Sequence, residues 1–262
     1  MRSKRSIRNH NCKRHYQNQR TNVEAIGEGE RSVEASAKPH PKFSGIYWIR
    51  LKDGTRRLAT RNLAPGKSVY SEQLISSKGL EYRIWDPYRS KLAAAIFKGL
   101  TSMPIQPRHT VLYLGSASGT TASHVSDVVG DEGHVYCVEF APRPMREFIN
   151  NVCLHRPNLT PILEDARLPK KYAMFVERVN DIYCDIAQPE QAKILVDNKE
   201  LFLIENGWTI LAVKSQSIDV TRRPTEIYDQ EAKVLRDHGF NIQEIIKLEP
   251  YDKAHALIVS KT

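Results

Sequence analysis

At 262 residues the chain is long enough to bury a full core, and one α/β domain with a small appendage is its natural division. Lys and Arg outnumber Asp and Glu by 39 to 30, a net charge of +9, which points to an anionic partner with RNA or DNA first, or simply to a basic soluble enzyme. The four cysteines form no CxxC pair and no secreted framework, no apolar run reaches the length of a membrane span, and the basic N-terminus lacks the apolar segment of a signal peptide. A cytoplasmic chain with reduced thiols and no membrane association is the expectation.

Residues 1–40 are basic, then acidic and polar, and read as a disordered tail. Its first twenty residues carry Lys and Arg but no acid, which suits loose phosphate contacts that steer binding without reading sequence; an inert tail has the same composition. His10, Cys12 and His15 are close enough to raise a metal, but a fourth ligand is missing and none is expected.

A small N-terminal β domain is expected over 41–85. GIYWIRL, then Asp53-Gly54, then TRRLATRNL is a hairpin pattern, because both central turn residues tolerate positive φ. A further strand is expected from Glu81 to Trp85. So slight a sheet needs the main domain or a partner to be stable. Tyr47, Trp48 and Arg50 fit either an interface or the sheet's own core.

Residues 86–262 alternate strand and helix. A helix is expected to begin at Asp86 or Pro87 with Lys91 about one turn inside. Strands are expected at 110–115, 134–139, 159–164, 179–185, 207–214, 241–248 and 254–260, and helices at 119–129, 142–155, 188–205 and 224–238. Such alternation implies a mainly parallel sheet covered on both faces, and the short turn around Pro250 makes the last two strands an antiparallel pair at one edge. Seven strands ending this way is the α/β architecture of a Rossmann-like class I methyltransferase, here with a small N-terminal β appendage.

The stretch VLYLGSASGTT (111–121) organises this domain: an apolar strand, a glycine turn and a helix start. Gly115 and Gly119 let backbone turn sharply and approach a ligand, and the helix N-terminus offers unpaired N–H groups. About twenty residues on, a strand ends in Glu139, whose carboxylate can accept both hydroxyls of a ribose. The spacing is neither GxGxxG nor GxxxxGK[ST], so a nucleoside without a phosphate cradle fits best, and S-adenosylmethionine leads. An ordinary glycine turn is the alternative.

Further strand ends carry Asp165, Asp185 and Lys214. Asp165 with Ala166 is placed to accept from an adenine amino group, or to cap its own turn. Asp185 and Lys214 each terminate an apolar strand, where one desolvated charge implies the other. Such a pair can handle the proton of a weakly acidic hydroxyl, or form a plain buried ion pair. Lys91 and His255 can complete a polar cluster, although singly they read as a solvated helix lysine and a strand histidine.

The segments RNLAPGKSVY (61–70), EYRIWDPYRSKLAAAI (81–96), VLYLGSASGTTASHVSDVVG (111–130), VYCVEFAPR (135–143), EDAR (164–167), DIAQPEQ (185–191), AVKSQSID (212–219) and LEPYDKAHALIV (248–259) run in order over about 220 residues. They resemble the fibrillarin family, and the absence of a Gly-Arg-rich N-terminal region resembles its archaeal form. The resemblance implies an rRNA and tRNA 2′-O-methyltransferase, the catalytic subunit of a box C/D ribonucleoprotein directed by a guide RNA. It implies that Thr120, Thr121, Glu139, Phe140, Asp165, Ala166, Asp185, Ile186, Ala187 and Gln188 line the S-adenosylmethionine site with Gly115. It further implies a catalytic tetrad of Lys91, Asp185, Lys214 and His255, a Nop-domain scaffold protein docked through the β appendage and neighbouring surface, and a kink-turn binding protein. Ser116 stands where the family usually has Ala, and the tail is longer than an archaeal form has. Protein glutamine methylation and a non-catalytic assembly role are the competing classes. Retention of all four tetrad residues argues against the second.

Overall fold

The computed structural model describes residues 36–262. The basic run at 1–20 and the His10, Cys12, His15 group lie outside the described residues.

Five strands precede the main sheet: β1 (Ser36–Pro39), β2 (Ile46–Arg50), β3 (Arg56–Arg61), β4 (Leu74–Ser77) and β5 (Leu80–Ile84). They form an antiparallel sheet in the order β1-β2-β3-β5-β4. β1 starts ahead of the boundary drawn at residue 41, because Ser36–Pro39 pairs with Tyr47–Arg50 although its own side chains are polar or small. β4 was likewise absent from the sequence reading. The hairpin forms at Asp53-Gly54 as expected, but as a longer loop: Leu51 N–H donates to Thr55 O at 2.9 Å, and Gly54 alone takes positive φ. The Asp53 carboxylate accepts from the Thr55 amide and hydroxyl, which occupies the loop's inner side.

The second sheet contains β6 (Thr110–Leu114), β7 (His134–Glu139), β8 (Leu159–Leu163), β9 (Val179–Cys184), β10 (Leu203–Lys214), β11 (Asn241–Lys247) and β12 (His255–Lys261). Its order is β11-β12-β10-β9-β6-β7-β8, with β12 antiparallel to both neighbours and β10, β9, β6, β7 and β8 parallel. The helices are α1 (Lys91–Phe97), α2 (Thr120–Val129), α3 (Pro142–Asn151), α4 (Gln191–Phe202), the single turn α5 (Ser215–Ile218) and α6 (Pro224–Asp237). All seven expected strands are present. β10 begins four residues early, at Leu203, with an irregularity before Trp208 where Asn206 takes positive φ.

The nearly continuous apolar strands follow from burial on both faces. Val111, Tyr113, Cys137 and Tyr183 enter a core beneath α1 and α2, while Leu112, Leu114, Val138 and Cys184 enter the opposite core beneath α4 and α6. The first core also takes in Ile46, Leu58 and Trp85 of the N-terminal sheet, so the two sheets belong to one compact unit.

A buried polar cluster joins them. Asp127 of α2 accepts from Arg83 Nη1 at 2.9 Å, from Thr60 Oγ1 at 2.8 Å and from the Leu63 amide at 3.1 Å, and it pairs with Arg156. Glu72 lies 2.6 Å from Arg83. His124 stacks on Trp85 and bonds Thr60 and Tyr70. Burial pushes the His124 pKa well down, so the ring is neutral and these two hydroxyls satisfy it. With two guanidinium groups against two carboxylates, no net charge is buried.

Candidate active site

The connection from β6 runs to β7 on one side, while β9 joins on the other. A parallel sheet opens a crevice at such a reversal, beyond its carboxyl ends. Here it is a cavity of about 310 Å³.

The glycine turn is built for this reversal. The Gly115 amide donates to Val138 O at 2.8 Å and the Asp185 amide to Leu114 O at 2.9 Å, so the ends of β6, β7 and β9 are tied side by side. Gly115 has φ +82°, and a Cβ there would stand 2.7 Å from Asp185 O. Gly119 has a different reason from the ligand approach expected of it: its Cβ would strike the Phe148 ring of α3 at 2.3 Å. Between them, the Ala117 amide donates to Glu139 at 2.9 Å.

The cavity wall includes Gly115, Glu139, Phe140, Asp165, Ala166, Asp185, Ile186, Ala187, Gln188 and Lys214, all singled out from sequence, together with Ala117, Pro144, Glu164 and Arg167 among others. Thr120 and Thr121 are not among the wall residues. Thr121 is buried and gives its hydroxyl to Ser90 at 3.0 Å, beneath the start of α1. Each Glu139 oxygen already accepts one backbone amide, from Ala117 and from Ala141, both at 2.9 Å. That fixes the carboxylate and leaves one lone pair on each oxygen. Asp165 caps its own turn through the Arg167 amide and pairs with the Arg167 side chain, whose hydrogen bonds hold the carboxyl below its usual pKa.

The four candidate catalytic residues come together at the rim. Lys214 Nζ lies 2.9 Å from Asp185 Oδ1 and 2.8 Å from Asp185 O; Lys91 Nζ lies 3.2 Å from Asp185 Oδ1. The expected helix start at Asp86 or Pro87 is corrected. Asp86 instead accepts from the Tyr88 amide in a turn, Ser90 is the N-cap, and Lys91 is the first residue of α1, at the helix mouth rather than one turn inside. His255 is cross-strand from Lys214 and reaches the others through Asp252, which the sequence reading missed. Asp252 Oδ1 is 2.8 Å from His255 Nδ1, and Oδ2 is 3.7 Å from Lys91 Nζ. His255 Nδ1 also faces Lys253 O at 2.7 Å, so two acceptors fix a proton on Nδ1.

The resulting chain, His255–Asp252–Lys91–Asp185–Lys214, alternates basic and acidic side chains. Burial opposes the Lys91 charge, but the Asp185 and Asp252 carboxylates override it and raise its pKa above the ordinary value. Burial also opposes the Asp252 charge, yet the His255 hydrogen bond and the Lys91 ammonium lower its pKa. Both groups are therefore charged near neutrality. Asp252 offered little signal: it sits in a turn, and only its spacing of three from His255 pairs them.

The strand order, the glycine turn and a cavity at the carboxyl ends define a class I methyltransferase fold. The Fibrillarin family pattern matches residues 37–262, and the chain belongs to the fibrillarin family. It is 54% identical over 230 residues to a fibrillarin-like rRNA/tRNA 2′-O-methyltransferase of Staphylothermus marinus, covering 88% of this chain and 98% of that one. The crystal structure of Aeropyrum pernix fibrillarin with natively bound S-adenosyl-L-methionine superposes with a TM-score of 0.81 at 49% identity, over 87% of this chain and 99% of that one. A fibrillarin/Nop5p complex superposes with a TM-score of 0.75 at 39% identity, over 85% and 99%.

Proposed function

We propose that this chain transfers a methyl group from S-adenosylmethionine to ribose 2′-hydroxyls of rRNA and tRNA, as the catalytic subunit of a box C/D ribonucleoprotein. The reading rests on one observation above all: Lys91 and Lys214 meet at Asp185, and His255 joins them through Asp252, beside a nucleoside-sized cavity. The names of the relatives support it.

The cavity suits this donor. Its wall carries the Glu139 and Asp165 carboxylates and the apolar Ile186, which fit a ribose, an adenine amino group and the face of an adenine ring. When bound, S-adenosylmethionine supplies an activated methyl group on a sulfonium. The remaining work is positional and protolytic. An ammonium has three donors; Lys214 gives one to Asp185 O, lies 2.9 Å from its Oδ1, and has a donor left for the accepting ribose oxygen. Asp185, fixed between two lysines, would take the hydroxyl proton as that oxygen receives the methyl group from sulfur, leaving a neutral thioether. Lys91 holds the carboxylate in place and stays charged, as its raised pKa requires. His255 and Asp252 secure Lys91 from behind.

The chain works with a Nop-domain scaffold protein, a kink-turn binding protein and a guide RNA, which leaves sequence choice to base pairing. The Nop5p complex of a relative supports the first of these. The test is transfer of labelled methyl in that assembly to a target RNA, with and without a 2′-deoxy substitution. Label in the normal RNA and none in the deoxy form is expected, with Lys214→Ala slowing transfer steeply while binding of the methyl donor suffers more in Asp185→Ala. Label in protein, or retained in the deoxy RNA, overturns the reading.

A further inference from the structure

Outside the methyl-donor cavity, a larger groove of about 570 Å³ runs from the N-terminal sheet to the loop before α1 and the turn between β11 and β12. Arg56, Arg57 and Arg89 line it, all exposed, and among the described residues none has a carboxylate within ion-pair distance. Of the two acids on the same wall, Glu72 is ion-paired and Asp86 is not. Glu72 is bound to Arg83 and to the Val69 and Tyr70 amides, and Asp86 holds the Tyr88 amide. The groove therefore presents uncompensated guanidinium groups, the geometry suited to phosphodiesters.

Its far end is formed by residues next along the chain to the rim of the methyl-donor cavity. Tyr88 is 66% exposed and stands edge-on to Tyr251, with ring centroids 5.1 Å apart. Tyr251 adjoins Asp252, and Tyr88 lies three residues before Lys91, the two residues whose side chains meet at 3.7 Å. An aromatic ring left this open at the end of a cationic groove is a stacking platform for a nucleobase.

We infer that this groove is the track of the RNA strand carrying the target ribose, with phosphates on Arg56, Arg57 and Arg89 and a base of that strand stacked on Tyr88. The inference rests on the proposed RNA methylation and adds the surface that delivers the substrate. A protein partner is less suited, because the groove sets three exposed guanidinium groups against one unpaired carboxylate, Asp86, too few acids for the balanced pairs of a protein interface.

The test uses the full chain. A fluorescent single-stranded RNA is titrated at several salt concentrations against wild type, an Arg56→Gln/Arg57→Gln/Arg89→Gln variant, Tyr88→Ala and Tyr88→Phe, with methyl-donor binding as the measure of an intact fold. The triple variant is expected to lose roughly tenfold in affinity and about two units of salt slope, the share of three phosphate contacts on a single strand. Tyr88→Ala is expected to lose severalfold, and Tyr88→Phe to retain wild-type affinity because stacking survives. Unchanged RNA affinity and slope in the triple variant overturn the inference, as does loss of scaffold binding in its place. Because the titration needs no catalysis, it reads the groove even if the wild-type assembly labels no ribose, an outcome that counts against the proposed function alone.

Discussion

Gln191 holds Lys214 by both of its backbone polar groups. The side-chain amide of this fully buried residue accepts from Lys214 N at 3.0 Å and donates to Lys214 O at 3.3 Å. The pairing of β9 with β10 ends at Cys184 and Leu211, so the edge of Lys214 on that side has no strand beside it. Gln191, the first residue of α4, replaces that strand, while Ser215 is tied to Ala254 O at 2.8 Å on the other side. The ammonium is thus placed by its backbone as well as by Asp185.

Gln191→Leu should consequently lower kcat for methyl transfer by about tenfold or more, since a displacement on the order of 1 Å is enough for that. Binding of the methyl donor should change little. Gln191→Glu keeps the acceptor for Lys214 N and should fall between the two. Steady-state kinetics with separate donor titration checks this, and equal kcat in Gln191→Leu removes the positioning role.

Asp252→Asn keeps the shape of the turn but removes the charge that faces Lys91 and His255. The expected result is a loss of roughly ten- to a hundredfold in kcat. Removal of one of its two carboxylate neighbours should also bring the Lys91 pKa down, moving the alkaline limb of the pH–rate profile to lower pH.

Gly115→Ala and Gly119→Ala should separate function from stability. At Gly119 the added methyl meets the Phe148 ring with φ at +95°, and about 2–4 kcal/mol of stability should be lost. At Gly115 it meets Asp185 O, so the Asp185 carboxylate must shift with its backbone and, on the proposed function, transfer should fail beyond what the unfolding midpoint explains. Denaturant melts alongside activity assays distinguish the two.

His109 supplies a pH dependence. Its Nδ1 lies 2.7 Å from the buried Asp181 carboxylate, and this hydrogen bond raises the imidazole pKa above 6.5 although burial works against it. A group raised on folding contributes stability that is complete below its unfolded pKa and is lost as pH rises through the folded value. The thermal midpoint of wild type should accordingly decline above pH 6.5 by an increment missing from His109→Gln, as read by calorimetry across pH 6 to 9.

Asp127→Ala should cost about 3–5 kcal/mol, because it leaves Arg83 and Arg156 buried with only Glu72 as counter-charge. Chemical denaturation measures it. A change below 1 kcal/mol would show that the seam between the sheets is solvated.

Most of the parallel sheet was legible because strands such as Val111–Leu114 are apolar on both faces and end abruptly in glycine or charge. The cavity residues were legible at those same ends. β1 was not, since Ser36–Pro39 becomes a strand only through its partner β2. Asp252 and Gln191 escaped notice for a related reason: their contacts, to Lys91 and to Lys214, span distant parts of the chain, and neither residue ends a strand. The start of α1 was misplaced because Asp86 and Ser90 are both good caps, and the helix uses the second.

The clasp formed by Asp127, Arg83, Arg156 and His124 sets a lower limit on how far the enzyme can be trimmed. A polypeptide beginning at Asp86 would retain the whole methyltransferase sheet, yet α2 would be stripped of the hydroxyl, guanidinium and indole that complete its polar flank. The helix that opens beside the methyl-donor turn would then lose its backing, so the amino-terminal strands serve as a scaffold for catalysis and not as a detachable ornament.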